Sequence, residues 1–255
     1  QNSPPMPSCC ITRKLSTSMS SDQTTSDLAG AASLPRAVLW DMDGTLLDSE
    51  KHWDVAVRDL SRWLGGEMSE QTRLATVGAS SAGALRVIFD SLGLAHEPEA
   101  LAAAKEWMYS RVETLFADGL EWRPGAREAL TMVREAGLST ALVTNTERRL
   151  TETALDVMGR HFFDASVCGD EVPAGKPAPD PYLRGAQLLG LDPRDCVAVE
   201  DSPTGTAAAT AAGCAVLVVP GGVIDVPTGP GRLFRDSLVG LTSADLAAVQ
   251  GCIRT

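Results

Sequence analysis

Apolar positions along the chain keep different rhythms, and the changes between them mark its organisation. The apolar run Ala37–Trp40 predicts a short buried strand. Behind it Trp53, Ala56, Val57, Leu60 and Leu64 recur at i, i+3, i+4, i+7 and i+11, one face of a helix that Gly65-Gly66 ends. The same spacing returns over 80–92 through Leu85, Ile88, Phe89 and Leu92, and again through Met108, Val112, Leu115 and Phe116. Residues 49–122 therefore read as a helical bundle with no strand in it.

From Pro124 the rhythm alternates. Pro124-Gly125 starts a helix with Ala126, Ala129, Leu130 and Val133 on its apolar face and Gly137 at its end. A strand over 140–143 runs into Thr144-Asn145; Leu150, Ala154 and Val157 mark the next helix, and 165–167 another strand. A stiff loop, Gly175-Lys176-Pro177-Ala178-Pro179, precedes a helix in which Asp180 and Pro181 suit the cap and first position and Gly190 the end. A strand over 196–199 ends in Glu200-Asp201, Ser202-Pro203 opens an Ala-rich helix stopped by Gly213, and 215–219 is one more strand. A final helix covers 243–249, while 220–241 stays unassigned, a surface loop on this reading. Alternating strands and helices give an α/β fold with right-handed crossovers and a mainly parallel, Rossmann-like sheet. The expected division is a leader over 1–35, a core of 36–48 and 123–255, and the helical insert 49–122.

Composition narrows the partners. A net charge of -11 and a pI near 4.7 argue against nucleic acid or an anionic membrane bound through a broad positive field, while a small phosphorylated ligand needs only a few local cations. None of the six cysteines forms a CxxC pair; Cys168, Cys196 and Cys214 sit in or beside apolar runs as buried thiols, and Cys9 and Cys10 fall in the leader. No apolar stretch is long enough to span a membrane. A reducing, cytoplasmic setting is expected, with organelle import through the Ser-rich leader as the alternative and Met19 as a candidate natural start.

The chemistry gathers where the predicted strands end, which in open parallel sheets is where ligands collect. Asp41 and Asp43, at i and i+2 beyond the first strand, point to the same side of extended backbone, and Gly44 permits a tight turn or a close approach to a ligand. Two acids side by side ask for a cation. Thr144-Asn145, Lys176 and Glu200-Asp201 end the other strands or follow them. A hydroxyl, a lysine and several acids around one metal suit phosphoryl transfer, and hard oxygen ligands favour magnesium. A calcium loop fails, because its twelfth position would be His52. His52, His96 and His161 lack metal or triad spacing and read as surface or packing residues; Trp53, Trp63 and Trp107 read as core of the helical insert.

The four motifs in this order resemble those of the haloacid dehalogenase superfamily of phosphohydrolases, with Asp41-Met42-Asp43-Gly44-Thr45 the most specific part. The insert resembles the helical cap of its phosphoglucomutase- and phosphoglycolate-phosphatase-like branch. The resemblance implies Asp41 as a nucleophile forming an aspartyl-phosphate and Asp43 as the acid and base. It implies Thr144 and the amide of Asn145 on the phosphoryl oxygens, Lys176 as a balancing cation, and magnesium on Asp41, the carbonyl of Asp43 and Asp201, with Glu200 nearby. The loop Val77-Gly78-Ala79-Ser80-Ser81 falls at the family's specificity loop. The branch's mutases carry a cap histidine where Trp53 stands and a cap arginine where Ser81 stands, so hydrolysis is expected over mutase activity; Asp43 argues against dehalogenation. The expectation is a magnesium-dependent phosphatase acting on a sugar phosphate, phosphoglycolate or nucleotide, as a monomer or weak homodimer. A non-catalytic binding relative is the alternative of another class.

Overall fold

A computed structural model describes residues 33–221 and 225–253. The expectations for the leader, Cys9, Cys10 and Met19 fall outside the described residues. Strand β1 (Ala37–Trp40) is fully buried at all four positions and is flanked on both sides. It pairs in parallel with β2 (Ser139–Val143) and β4 (Cys196–Glu200), so that Trp40 lies level with Leu142 and Val199. The sheet continues outward through β3 (Ala165–Val167) on one side and β5 (Ala215–Val218) and β6 (Arg232–Phe234) on the other, all parallel. A strand covered on both faces has no polar alternation to offer, which is why β1 reads as a continuous apolar run.

Alternate residues of the strands face two cores. Val38, Trp40, Leu142, Val197 and Leu217 pack with α5 (Ala126–Glu135), α6 (Arg148–Met158) and α9 (Ser243–Gly251). Leu39, Val143, Ala198 and Val216 pack with α7 (Asp180–Leu188) and α8 (Pro203–Ala212). Between β1 and α5 the chain forms the cap: α1 (Glu50–Trp63), α2 (Glu70–Thr76), α3 (Ser81–Leu92) and α4 (Pro98–Ala117). Its own cluster joins Val57, Leu60, Ile88, Phe89, Met108 and Phe116 to Leu150, which α6 lends from the core. Each such buried side chain stabilises the fold by roughly 1.5–3 kcal/mol. The chain enters and leaves the cap side by side, with Asp48 N–H donating to Glu121 O (2.8 Å) and Arg123 N–H to Leu46 O (2.8 Å). Arg149 on α6 reaches Glu106 and Glu113 on α4, and Lys105 pairs with Glu147 (2.7 Å), so ion pairs also tie cap to core.

Several details correct the sequence reading. The unassigned segment contains β6. Gly125 caps α5 rather than entering it, in a left-handed conformation (φ 79°), and a Cβ there would lie 2.3 Å from Val239 N. Asp180 is the first residue of α7 and Pro179 its cap. On α6 the buried face is Leu150, Ala154, Leu155 and Met158, leaving Val157 43% exposed. Trp63 is 50% exposed and stacks on Trp107 instead of filling the cap core. Cys168, Cys196 and Cys214 are buried free thiols, as expected. Among the described residues no helix is long and apolar enough to cross a membrane.

Candidate active site

All the sequence-predicted site residues, Asp41, Asp43, Thr144, Asn145, Lys176 and Asp201, line one pocket of about 80 Å³ between the sheet and the cap. The sheet's geometry brings them there. Asp41 N–H still donates to Val199 O (3.0 Å), which extends the ladder by one residue and delivers the first carboxylate at the strand's end. The chain then folds on itself, Leu46 and Leu47 N–H both donating to Met42 O at 3.0 Å. Gly44 (φ 84°) makes the turn possible, and a Cβ on it would lie 2.2 Å from Asp201 Oδ2. Glycine is needed there both for its dihedral and because the backbone passes against Asp201 of the fourth motif.

Lys176 is the hub of the buried charges. Its Nζ donates to Asp41 Oδ1 and to Glu200 Oε1, each at 2.6 Å, and Tyr182 OH donates to the same Glu200 oxygen at 2.5 Å. Burial alone would lower the lysine's pKa, but the carboxylates of Asp41 and Glu200 outweigh it, and the ammonium is held charged. Asn145 fixes the backbone of this loop. Its Oδ1 accepts from Lys176 N–H (2.7 Å) and its Nδ2 donates to Lys176 O (3.1 Å) and, across to the cap loop, to Gly78 O (3.4 Å).

The two aspartates of the first motif have different surroundings. Asp41 is 6% exposed, and burial raises its pKa to about 7 in spite of Lys176. Its Oδ2 is buried with no hydrogen-bond partner. Asp43 accepts four hydrogen bonds: Ser49 Oγ (2.6 Å) and Trp53 Nε1 (3.0 Å) on Oδ1, Thr146 Oγ1 (2.7 Å) and Thr144 Oγ1 (3.2 Å) on Oδ2. Asp41, Glu200 and Asp201 bring carboxylate oxygens within 4.8 Å of one another, a cluster suited to a divalent metal ion. Burial, reinforced by the neighbouring carboxylates of Asp41 and Glu200, holds Asp201 well above the usual carboxylate range. That is the mark of a site short of positive charge. The all-oxygen donor set of this cluster fits magnesium.

Four participants escaped the sequence reading. Thr146 sits two residues past Thr144, a spacing that could have flagged it. Trp53, expected in the cap core, turns its indole N–H onto Asp43. Tyr182 binds Glu200 from eighteen residues away. Arg73, from the short helix α2, lines the pocket while paired to Glu50 (3.0 Å) and Asp54 (2.8 Å). Glu200, expected beside the metal, has Oε1 taken by Lys176 and Tyr182, and its Oε2 accepts from Ser202 Oγ (3.2 Å). The loop 77–81 does border the pocket, through Val77, Gly78, Ala79 and Ser81.

Packing around Glu200 gives a sharp test. A Cβ on Gly205, in the first turns of α8, would stand 1.9 Å from Glu200 Oε1. Alanine in a helix is ordinarily favoured over glycine by about 1 kcal/mol. Here Gly205→Ala should instead destabilise by about 1–3 kcal/mol through overpacking, and lower turnover by displacing the carboxylate that holds Lys176. Thermal denaturation checks the sign; a stabilised variant would refute the close packing.

A haloacid dehalogenase-like hydrolase family profile matches residues 35–213. The chain belongs to this family. Among its relatives is hexitol phosphatase B of Escherichia coli K12, 34% identical over 226 residues that cover 84% of this chain and 99% of the relative. The phosphorylated carbohydrates phosphatase of Thermotoga maritima is 32% identical over 181 residues, 69% of this chain and 81% of that one. The crystal structure of CbbY from Rhodobacter sphaeroides in complex with phosphate superposes with a TM-score of 0.70 at 28% identity, covering 81% of this chain and 96% of CbbY. This haloacid dehalogenase-like hydrolase is thus an enzyme of the phosphoglucomutase and phosphoglycolate-phosphatase branch, with the inserted helical cap of that branch. Its chemistry is that of a hydrolase or mutase acting on a small phosphorylated metabolite through a catalytic aspartate.

Proposed function

We propose that the chain is a magnesium-dependent phosphatase that hydrolyses a small phosphorylated metabolite through an aspartyl-phosphate on Asp41. The carrying observation is the asymmetry of Asp41: Lys176 holds Oδ1, while Oδ2 is buried and unpartnered in the pocket. In this reading Oδ2 attacks phosphorus as the bond to the leaving oxygen breaks, and Asp43 gives that oxygen its proton. Asp43 then takes a proton from the water that hydrolyses the aspartyl-phosphate, which returns both carboxyl groups to their starting states. Thr144 and Asn145 hold phosphoryl oxygens, and Lys176 offsets the charge that gathers on them. Magnesium, held by Asp41, Asp201 and the backbone carbonyl of Asp43, would favour ionised Asp41 and neutralise the phosphoryl group.

The helices between 49 and 122 serve as a lid hinged near 49–53 and 121–125, keeping stray water from the intermediate. The lid's side of the pocket favours an uncharged leaving group. Its cation, Arg73, is already neutralised by Glu50 and Asp54, and Trp53, Val57, Ala84 and Met108 are apolar surface. A sugar or sugar-alcohol monophosphate suits this lining better than a bisphosphate, in line with relatives named for hexitol and carbohydrate phosphates. Ser81 in place of an arginine disfavours the mutase alternative. Phosphate release from a chromogenic phosphate ester should require magnesium and stop with chelator. Absence of any magnesium-dependent release would turn the assignment to a binding protein.

A further inference from the structure

Arg73 on the short helix α2 is buried and lines the pocket. A guanidinium group carries five N–H donors in a rigid fork. Four are taken within the cap: Nε by Asp54 Oδ1 (2.8 Å), Nη2 by Glu50 Oε2 (3.0 Å) and Glu50 O (3.4 Å), and Nη1 by Thr76 Oγ1 (3.2 Å). The fifth, on Nη1, has no acceptor among the described residues, and Thr76 beside it also lines the pocket. A buried donor left open next to a cavity calls for an acceptor in whatever fills that cavity. Charge decides which acceptor. Asp54 also accepts from Arg58 Nε (3.0 Å), and Arg58 reaches on to Glu70 (2.7 Å). The string Glu50, Arg73, Asp54, Arg58, Glu70 thus sets three carboxylates against two guanidinium groups. An anion brought to Arg73 meets a net negative surround; a hydroxyl meets an open donor and pays nothing for that surround.

We infer that Arg73 donates to a hydroxyl oxygen of the leaving group and that Asp54 sets it against anionic ones. The pair then selects polyol monophosphates over phosphorylated acids. The inference rests on the phosphatase reading above and names its substrate class. Arg73 does not stand where the branch's mutases carry their cap arginine, a place taken here by Ser81. Asp54, unlike Arg73 and Glu50, is not part of the pocket lining, so its charge acts on the substrate through the guanidinium.

Two esters of equal length separate this role from mere packing. Glucitol 6-phosphate and gluconate 6-phosphate share a six-carbon chain and differ at the far end, a hydroxymethyl group in one and a carboxylate in the other. Wild type should favour the glucitol ester. Asp54→Asn keeps an oxygen for Arg73 Nε and removes one negative charge. It should raise the gluconate-to-glucitol ratio of kcat/KM by roughly 10-fold, as expected for one charge at a partly exposed site, chiefly through a lower KM for gluconate 6-phosphate. Asp54→Glu keeps the charge and should hold the ratio within about threefold of wild type. Arg73→Gln should lower kcat/KM for the glucitol ester by roughly 10-fold. Adding Asp54→Asn to it should then raise the ratio by less than about threefold, since no guanidinium remains to hold the carboxylate. A wild type that prefers the gluconate ester, an unchanged ratio in Asp54→Asn, an equal shift in Asp54→Glu, or a full-sized gain without Arg73 would overturn the inference. So would a wild type active on the chromogenic ester but on neither sugar ester. Phosphate release from none of the three would overturn the phosphatase reading itself, a distinct result.

Discussion

Asp41→Asn should abolish turnover, by at least on the order of 10⁴-fold, while leaving the fold as stable as before or more so. The amide is isosteric, and its Oδ1 can still accept from Lys176 Nζ, which stands 2.6 Å from the native oxygen. What it lacks is a nucleophilic oxygen at Oδ2, the buried atom without a partner. The stability half follows from the carboxyl's raised pKa, about 7 in the fold against an ordinary value of 3.8. The folded protein then holds a proton that the unfolded chain has released. In metal-free protein this carboxyl group therefore costs stability progressively as pH climbs from about 4 to about 7, and the full cost stands above that window. A neutral asparagine removes the cost. Its midpoint of thermal unfolding should match wild type at acid pH and exceed it at pH 8 without magnesium, and no acid-stable, alkali-labile phosphoenzyme should be trapped. Near-wild-type turnover in this variant would sink the covalent mechanism.

The sequence made the chemistry legible because each motif ends a strand or follows one, and the strands declare themselves. Ala37–Trp40 is wholly apolar because the sheet covers it on both faces, and the acids begin where that cover stops. The features that stayed hidden are of two kinds. Some are short and half covered. β6 has three residues at the sheet's edge with Phe234 37% exposed, so it lacks a buried run; α2 buries only Arg73 and Thr76, polar residues that no apolar period reveals. Others depend on a partner far along the chain. Gly125 is held to glycine by the backbone of Val239. Periodicity put Trp53 on a helix face, but whether its N–H meets water or Asp43 is decided by how the cap sits on the core. Likewise the partners of Arg149, Glu106 and Glu113 on α4, lie some forty residues away and are brought to it only by the fold.

Lys176→Met should damage both halves of the design, stability and catalysis. Methionine matches the lysine stem in length and fills irregular space well, so the change removes the charge with little change in packing. The ammonium is 4% exposed and holds Asp41 and Glu200 together, each at 2.6 Å. Stripping one partner from a buried ionic group strands the others, at a cost of about 3–5 kcal/mol. For a unit of this size each kcal/mol moves the midpoint of thermal unfolding by about 2–4 °C, so a fall of roughly 6–20 °C is expected. The rate should fall separately. A preorganised cation beside a developing phosphoryl charge contributes most in the transition state, so kcat should drop by roughly 10²–10³-fold with a smaller change in KM. Lys176→Arg should not rescue either property, because a planar fork cannot replace a point charge between two carboxylates already closed on it. Magnesium should restore part of the lost midpoint, since it binds only the folded cluster, but not the lost kcat. A methionine variant with full kcat would show that the charge on Lys176 is structural alone, and that the phosphoryl group is balanced by other means.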